Sequence, residues 1–286
     1  MTDNDQVELQ NNIDKLVQWS KKNLMSFNLE KCKAMAITNK CLDFSLPFYD
    51  FCYHLDNEFL NYVSNEKDLG VICDHKLSWT TQCDSILVKA TSQFNFVRRT
   101  CYFINNSKQR YELYLSLIRS IFEHCCQIWS PQMSSLNNFD KLQKRAVKWI
   151  LKEQQSSYSN LIYLKKQKEL DLLPMKEKFI LSDLILFYRI IRSDIKIELP
   201  FYISKIESQD VKYGTRSSHP IKDGKDDLKF VCKLKPKVKC FQDSFFVRTI
   251  DRWNEIPYKI RKLDNIDKFK VELKQHMWLI LGLDPG

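Results

Sequence analysis

The chain has no uninterrupted apolar run of the roughly eighteen residues that a membrane-spanning helix needs. Its most apolar segment, FILSDLILFYRII at 179–191, is interrupted by Asp183 and Arg189. The first thirty residues carry acids and amides where a secretory signal would have a basic start and an apolar stretch. These absences predict a soluble intracellular protein, in the nucleus or the cytoplasm, that is not secreted and does not bind a membrane.

The sequence also lacks cysteines and histidines at the spacing that metal ligands have. The ten cysteines stand at positions 32, 41, 52, 73, 83, 101, 125, 126, 232 and 240, without a CxxC pair, and no two histidines have ligand spacing. In His124-Cys125-Cys126, consecutive residues of an apolar helix point in different directions, so we interpret them as buried small side chains. We predict no metal site in this chain, and the scattered cysteines favour a reducing compartment.

What the sequence does have is enough apolar material for a core and an uneven charge. Of its 286 residues 44% are hydrophobic, which predicts one or two folded domains. The formal net charge is −4 over residues 1–80, +8 over 81–200 and +6 over 201–286. A basic excess confined to the later part suits a phosphate-rich partner, although basic globular proteins with no such partner are also common.

Periodicity divides the chain into three regions. Residues 6–23 have an amphipathic helical pattern, and the short β-branched and aromatic runs MAITN, PFYDFCYHL, FLNYVS and GVICD predict a small antiparallel sheet. Residues 81–195 then predict a helical bundle with a fourth helix from Met175 to Arg192, which starts after Pro174. Three earlier helical faces are marked by apolar residues at 86, 90, 94, 97, 101 and 104, at 111, 114, 118, 121, 122 and 125, and at 139, 142, 146, 147 and 150.

The last region, from Pro200, mixes polar loops with the alternating run KFVCKLKPKVKCF. This run predicts a strand with one basic face, interrupted at Pro236, and a closing helix is predicted from Ile266 to Leu281. The predicted fold class is therefore α+β.

Five segments in order resemble the carboxy-terminal part of reverse transcriptases of non-LTR retrotransposons, of the LINE-like, jockey type. They are LVQWSKKNLMSFNLEKCKAM (16–35), EKDLGVICDHKLSW (66–79), YLSLIRSIFEHCCQIWSP (114–131), FDKLQKRAVKWIL (139–151) and SFFVRTIDRWNEIP (244–257). The resemblance implies the later part of a right-hand polymerase, beginning near the end of its palm domain. Residues 1–80 would form the last part of the palm, residues 81–198 a helical thumb, and residues 199–286 a mixed carboxy-terminal extension.

The same resemblance implies roles for individual residues. Lys31 matches the motif D lysine that assists the leaving pyrophosphate, with Lys33 as second choice, although a solvent-facing lysine in a loop is an equal alternative. Leu69, Gly70 and Val71 would belong to the hairpin that supports the primer end, where Gly70 allows a turn or a close backbone approach. An ordinary tight turn is the alternative for this glycine.

The catalytic carboxylates of such a polymerase have no match in the sequence. Two-metal phosphoryl transfer needs carboxylates that converge on one point, whereas the only Asp-Asp pair, Asp226-Asp227, stands among lysines in a polar segment typical of a solvated turn. We therefore expect no cofactor in this chain. The complete enzyme would use Mg²⁺ and dNTPs, and the missing fingers and palm would supply the metal ligands.

The strongest binding feature is basic. Five cations recur at helical spacing opposite an apolar face: Lys141, Lys144, Arg145, Lys148 and Lys152. Such a helix could follow the phosphates of an RNA/DNA primer–template duplex without reading its sequence, and Arg98 and Arg99 add to this surface. A solvated helix face is the open alternative.

Other conspicuous residues are predicted to be structural. Trp129 is expected to fill the core, Arg119 to pair with Glu123 one turn later, and Trp253 to anchor the extension on the bundle.

The sequence therefore predicts a fragment of an RNA-directed DNA polymerase that holds primer and template and does not polymerise alone. A non-enzymatic nucleic-acid-binding module and a decayed retroelement remnant are the alternatives.

Overall fold

The structure, a computed structural model, describes residues 3–38, 52–130, 133–153, 159–206 and 228–283. It combines many helices with a few short strands, so the α+β class predicted from the sequence is confirmed. The chain forms two compact units, Met1–Gln82 and Cys83–Gly286. Among the residues described, no helix is long and apolar enough to cross a membrane.

The first unit begins with the predicted helix, α1 (Asp3–Lys22). Its main attachment is polar, because the side-chain amide of Gln10 both donates to the backbone oxygen of His54 and accepts from its backbone nitrogen, each at 3.0 Å. Of the apolar face that defined the helix, Val17 is buried, whereas Trp19 stays half exposed.

The small antiparallel sheet predicted for this unit is wrong in its pairing. Within the described part of this unit, six short strands form three separate pairs. Strand β1 (Lys33–Ala34) lies parallel to β4 (Asn61–Tyr62), and two hairpins join β2 (His54–Leu55) to β3 (Glu58–Phe59) and β5 (Asn65–Asp68) to β6 (Val71–Asp74). Strands of two residues make too few ladder hydrogen bonds to define a larger sheet. Residues 39–51, which include the first five residues of PFYDFCYHL and the last of MAITN, lie outside the described part, and residues 35–38 of MAITN are not strand.

The second unit is mainly helical. Its first helix, α2 (Thr80–Thr100), begins three residues before the boundary with the first unit. The others are α3 (Ser107–Tyr114), α4 (Ser120–Glu123), α5 (Cys126–Trp129), α6 (Met133–Leu151), α7 (Asn160–Glu169), α8 (Met175–Ile191), α9 (Lys239–Gln242), α10 (Phe245–Glu255), α11 (Tyr258–Arg261) and α12 (Ile266–Ile280). Strands β7 (Ile203–Lys205) and β8 (Phe230–Cys232) pair antiparallel. Helix α7 has no counterpart in the sequence prediction.

Periodicity predicted two of the helical faces well and one in part. The predicted apolar marks that lie within α2 and α6 are buried, among them Ala90, Phe94, Ala146 and Ile150, each 0% exposed, whereas Cys101 and Ile104 follow the end of α2 and are half-buried. The second predicted helix is divided: a π-helical turn, Leu115–Arg119, follows α3, and Cys125 adopts a left-handed conformation at φ 51° between α4 and α5. Trp129 is fully buried against Phe139 and Phe179, as predicted.

Helix α8 lies at the centre of the second unit and contacts α5, α6, α10 and α12. Phe187 meets the ring of Trp253 at 5.3 Å, and Tyr188 stacks on Phe269 at 4.2 Å. Because Trp253 is 0% exposed, its predicted role in anchoring the later residues to the bundle is confirmed. Residues on both sides of position 199 therefore share one apolar core.

The predicted basic strand in KFVCKLKPKVKCF is wrong over most of its length. Only Phe230–Cys232 is strand, and Lys239 already belongs to α9. The alternation also fails, because Leu234 and Val238 are 44% and 47% exposed. Beyond Cys232, this segment has no partner strand among the described residues, and Pro236 has no backbone N–H to donate to one.

Candidate nucleic-acid interface

The basic residues of α6 lie on the outward side of the helix. Lys141, Arg145 and Lys152 are exposed and Lys144 and Lys148 are half-buried, whereas the apolar positions between them are buried. From Lys141 to Lys148 the row extends over about 10 Å of α6, which corresponds to about three phosphates of one strand, and Lys152 follows directly after the last helical residue, Leu151. The spacing seen in the sequence thus gives one continuous cationic face.

Three contacts with neighbouring side chains fix the middle of this face. The Arg145 guanidinium donates to the side-chain oxygen of Asn95 in α2 at 3.0 Å and lies over the Phe94 ring at 5.4 Å. The Lys144 ammonium lies 5.2 Å from the centre of the Tyr163 ring in α7. These cations are held by neighbours that carry no negative charge, so their own charge is not neutralised there.

The end of α2 adds Arg98 and Arg99 to the same region. Both are exposed in the last helical turn. They follow Asn95 by three and four residues, which places them on the helix face that meets Arg145. Cations at a helix C-terminus also favour the helix dipole, so their position has a structural explanation besides a ligand.

Acidic groups are scarce around this surface. No Asp or Glu occurs between Asp84 and Glu112, or between Asp140 and Glu153. Asp140 is turned to the start of α8, where its carboxylate accepts from the Met175 backbone nitrogen at 3.0 Å, and burial raises its pKa. Glu153 pairs with Lys166 of α7. The cationic face therefore keeps a positive potential that a polyanion could use.

Arg110, which the sequence groups with Lys108, Arg98 and Arg99 as cations of a binding surface, is instead buried and joins α2, α3 and α6. Arg110 is 6% exposed, and its guanidinium donates to the backbone oxygens of Ile104 at 2.7 Å and Trp149 at 2.5 Å. It also lies over the Trp149 ring at 5.2 Å. A signal was present in the sequence, because Arg110 precedes the buried Tyr114 and Ile118 by one and two helical turns.

The predicted primer-supporting hairpin is a tight turn of the first unit. Leu69 and Gly70 connect β5 to β6 with φ angles of 47° and 90°, which suits a two-residue type I′ turn. Leu69 is 87% exposed at the tip and Val71 is buried. A leucine in the left-handed region is unusual, since Asn and Gly are the residues that occupy it at low cost.

The predicted motif D residues also lie in the first unit. Lys31 is exposed at the end of a 3₁₀ turn, Leu29–Lys31, and Lys33 begins β1 opposite Asn61. Nothing in their geometry distinguishes an assisting lysine from a solvent-facing one. The α6 face belongs to the second unit.

No metal centre is formed by the described residues. Within the ranges given above, no three His, Cys, Asp or Glu side chains come together as a metal ion would require. The Mg²⁺ that the resemblance implies for a complete polymerase therefore has no ligand set among them. Asp226 and Asp227 lie outside the described residues.

Another arginine, which is largely but not fully buried, stabilises the second unit. Arg248 of α10 forms an ion pair with Asp183 of α8 and also donates to the backbone oxygens of Asp243 and Gln127. The predicted pair of Arg119 with Glu123 is present at 2.9 Å. Arg119 and Arg248 lie in two of the five segments that resemble reverse transcriptases, and these contacts give both residues a structural role.

Comparison with protein-family models, curated proteins and solved structures gave no match. The likeness to reverse transcriptases stays a prediction from the five sequence segments.

Proposed function

We propose that this chain holds a primer–template duplex as part of an RNA-directed DNA polymerase of a non-LTR retroelement. In this proposal, residues 1–80 end the palm, the bundle at 81–198 is the thumb, and residues 199–286 are the extension packed on it. The chain binds the duplex, whereas the metal carboxylates, Mg²⁺ and dNTPs belong to the complete enzyme.

The observation that supports duplex binding is the continuous cationic face of α6, joined by the end of α2. Its charges lie in a row, in a stretch of sequence that contains no Asp or Glu between Asp140 and Glu153, and the opposite side of the helix packs in the core. A rigid row of this kind contacts successive phosphates of a backbone, which gives affinity without sequence preference. Such sequence-independent holding is what a polymerase requires of its thumb, because the template changes at each step.

Charge reversal on α6 tests the proposal. Lys144→Glu combined with Lys148→Glu should lower affinity for an RNA/DNA hybrid duplex by roughly tenfold or more, and should reduce the slope of log affinity against log salt by about 2. Fluorescence anisotropy of a labelled duplex measures both quantities, and the melting temperature of the variant verifies its fold.

A matched control separates local contacts from net charge. Lys259→Glu with Lys268→Glu makes the same charge change at exposed residues of α11 and α12. The control should retain most of the wild-type affinity. Equal losses in the two variants would contradict a binding face on α6, and unchanged affinity in the α6 variant would do so more directly.

A further inference from the structure

Two aromatic side chains are exposed where α2 ends. Tyr102 and Phe103 are 75% and 65% exposed, and their rings meet edge to face at 5.9 Å. Phe96, in the preceding part of α2, is 52% exposed. Single exposed apolar residues are ordinary on a protein surface, so the pair becomes informative only through its surroundings.

The turn that carries this pair is firmly held. Arg110 donates to the Ile104 oxygen directly after the pair and to the Trp149 oxygen near the end of α6. The Lys152 ammonium donates to the side chain of Asn105, and Asn106 caps α3 by accepting from the backbone nitrogens of Lys108 and Gln109. A buried guanidinium thus positions two exposed aromatic rings against the end of the cationic face.

The charges next to the rings are all positive. Arg98 and Arg99 precede the pair by a few residues, Lys108 follows it at the start of α3, and Lys152 reaches the same turn. The acid-free stretch between Asp84 and Glu112 includes the whole turn. Open ring faces among cations are the combination by which proteins bind single-stranded nucleic acid, because bases stack on the rings while phosphates meet the charges.

We infer that Tyr102 and Phe103 stack on an unpaired base where single-stranded nucleic acid leaves the duplex held by α6. This inference rests on the proposed function, which it deepens by adding a single-strand site to the duplex face. Arg98 and Arg99 contact the phosphates of the unpaired strand. One stacked base increases affinity roughly 5- to 150-fold.

The shape of the surface favours nucleic acid over a membrane. The cations of α6 form a row about 10 Å long, which Lys152 continues to the aromatic turn through Asn105. A membrane-binding face instead spreads apolar residues along a whole helix above a plane of charge. Along α6 the apolar residues are buried in the core. Binding to an anionic membrane is therefore a result that would contradict the inference.

The experiment compares a blunt hybrid duplex with the same duplex carrying an overhang at either its 3′ or its 5′ end. The wild type should bind an overhang duplex at least fivefold more tightly than the blunt one. Tyr102→Ala with Phe103→Ala should remove this preference and leave blunt-duplex affinity within about twofold, whereas Tyr102→Phe with Phe103→Tyr should retain it, because both rings remain. As exposed residues, both can be replaced without unfolding the core.

The outcomes separate this inference from the proposed function. Blunt-duplex binding with no overhang preference would overturn the stacking site and leave duplex holding intact. Binding of single strands alone, lost in the double alanine variant, would support stacking and contradict duplex holding, and binding of neither probe would overturn both. Ring-dependent binding to vesicles of anionic phospholipid without an overhang preference would assign the pair to a membrane and overturn the inference.

Discussion

Arg248 and Asp183 form a bidentate ion pair between α10 and α8, with Nε to Oδ2 at 2.9 Å and Nη2 to Oδ1 at 3.1 Å. Both side chains are largely buried. The same guanidinium donates to the backbone oxygens of Asp243 and Gln127, so it joins three helical segments around α8. A single side chain therefore connects the bundle to the residues that follow position 199.

Removing one partner of this pair should be far more damaging than removing both. Arg248→Met leaves the Asp183 carboxylate buried without its partner and should lower the free energy of unfolding by about 3–5 kcal/mol. Arg248→Met combined with Asp183→Leu should recover much of that loss, since no buried charge remains. Urea unfolding of the wild type, both single variants and the double variant measures the coupling. Additive losses would show that the two side chains act independently.

The pH dependence of stability should identify Asp183. Burial raises its pKa from 3.8 to about 6, because the charge and hydrogen bonds of Arg248 offset only part of the desolvation. With a higher pKa in the folded state, the folded protein binds this proton more tightly than the unfolded chain. The contribution of Asp183 to stability should therefore be largest below about pH 4 and should decline by up to about 3 kcal/mol as the pH rises to about 6.

Asp183→Asn isolates this effect from other carboxyl groups. Burial also raises the pKa values of Asp140 and Glu177, which both proteins retain. The difference in unfolding free energy, wild type minus variant, should fall between pH 4 and 6 and stay level above that range. A difference that is constant with pH would mean that Asp183 titrates alike in the folded and unfolded states.

The sequence predicted the parts of the fold that depend on local pattern. The faces of α2 and α6 follow from helical spacing, because Phe94, Val97, Ala146 and Ile150 recur every three or four residues. The cationic face of α6 could be predicted for the same reason. The break at Cys125 could not, since a residue in the left-handed region interrupts a helix without a glycine or proline to mark it.

The side-chain contacts that hold the helices of the second unit together join residues that are far apart in the sequence. Arg110 and Trp149 are far apart in sequence, and spacing alone does not show which carbonyl a buried arginine will reach. Asp183 stands one helical turn from both Phe179 and Phe187, which indicates a buried carboxylate but does not name Arg248 as its partner. The prediction of the short strands failed for a related reason, because the pairing of strands depends on the register between segments that are apart in the sequence.

The hairpin tip offers a stabilising substitution. Leu69→Asn should raise the free energy of unfolding of the first unit by about 1 kcal/mol, because the left-handed conformation at φ 47° costs less for asparagine than for leucine. Leu69→Ala is the matched control, since alanine retains the Cβ that makes this conformation unfavourable. Thermal unfolding would measure both variants, and an equal gain in the two would assign the effect to loss of the exposed apolar side chain instead.

Arg110 connects the stability of the aromatic turn to its proposed role. Arg110→Met removes the donors to Ile104 and Trp149 and leaves two backbone oxygens without them, so unfolding should become easier by about 1–3 kcal/mol. Because the turn at 101–106 would keep its contact with Lys152 but lose both hydrogen bonds from Arg110, hydrogen exchange of its amides should become faster than in the wild type. The preference for an overhang duplex should fall, although Tyr102 and Phe103 are still present. Arg110→Lys retains the charge without the fork that reaches both oxygens and should behave like the methionine variant. If amide exchange increases while the overhang preference stays, the rings bind without being positioned, and Arg110 serves stability alone.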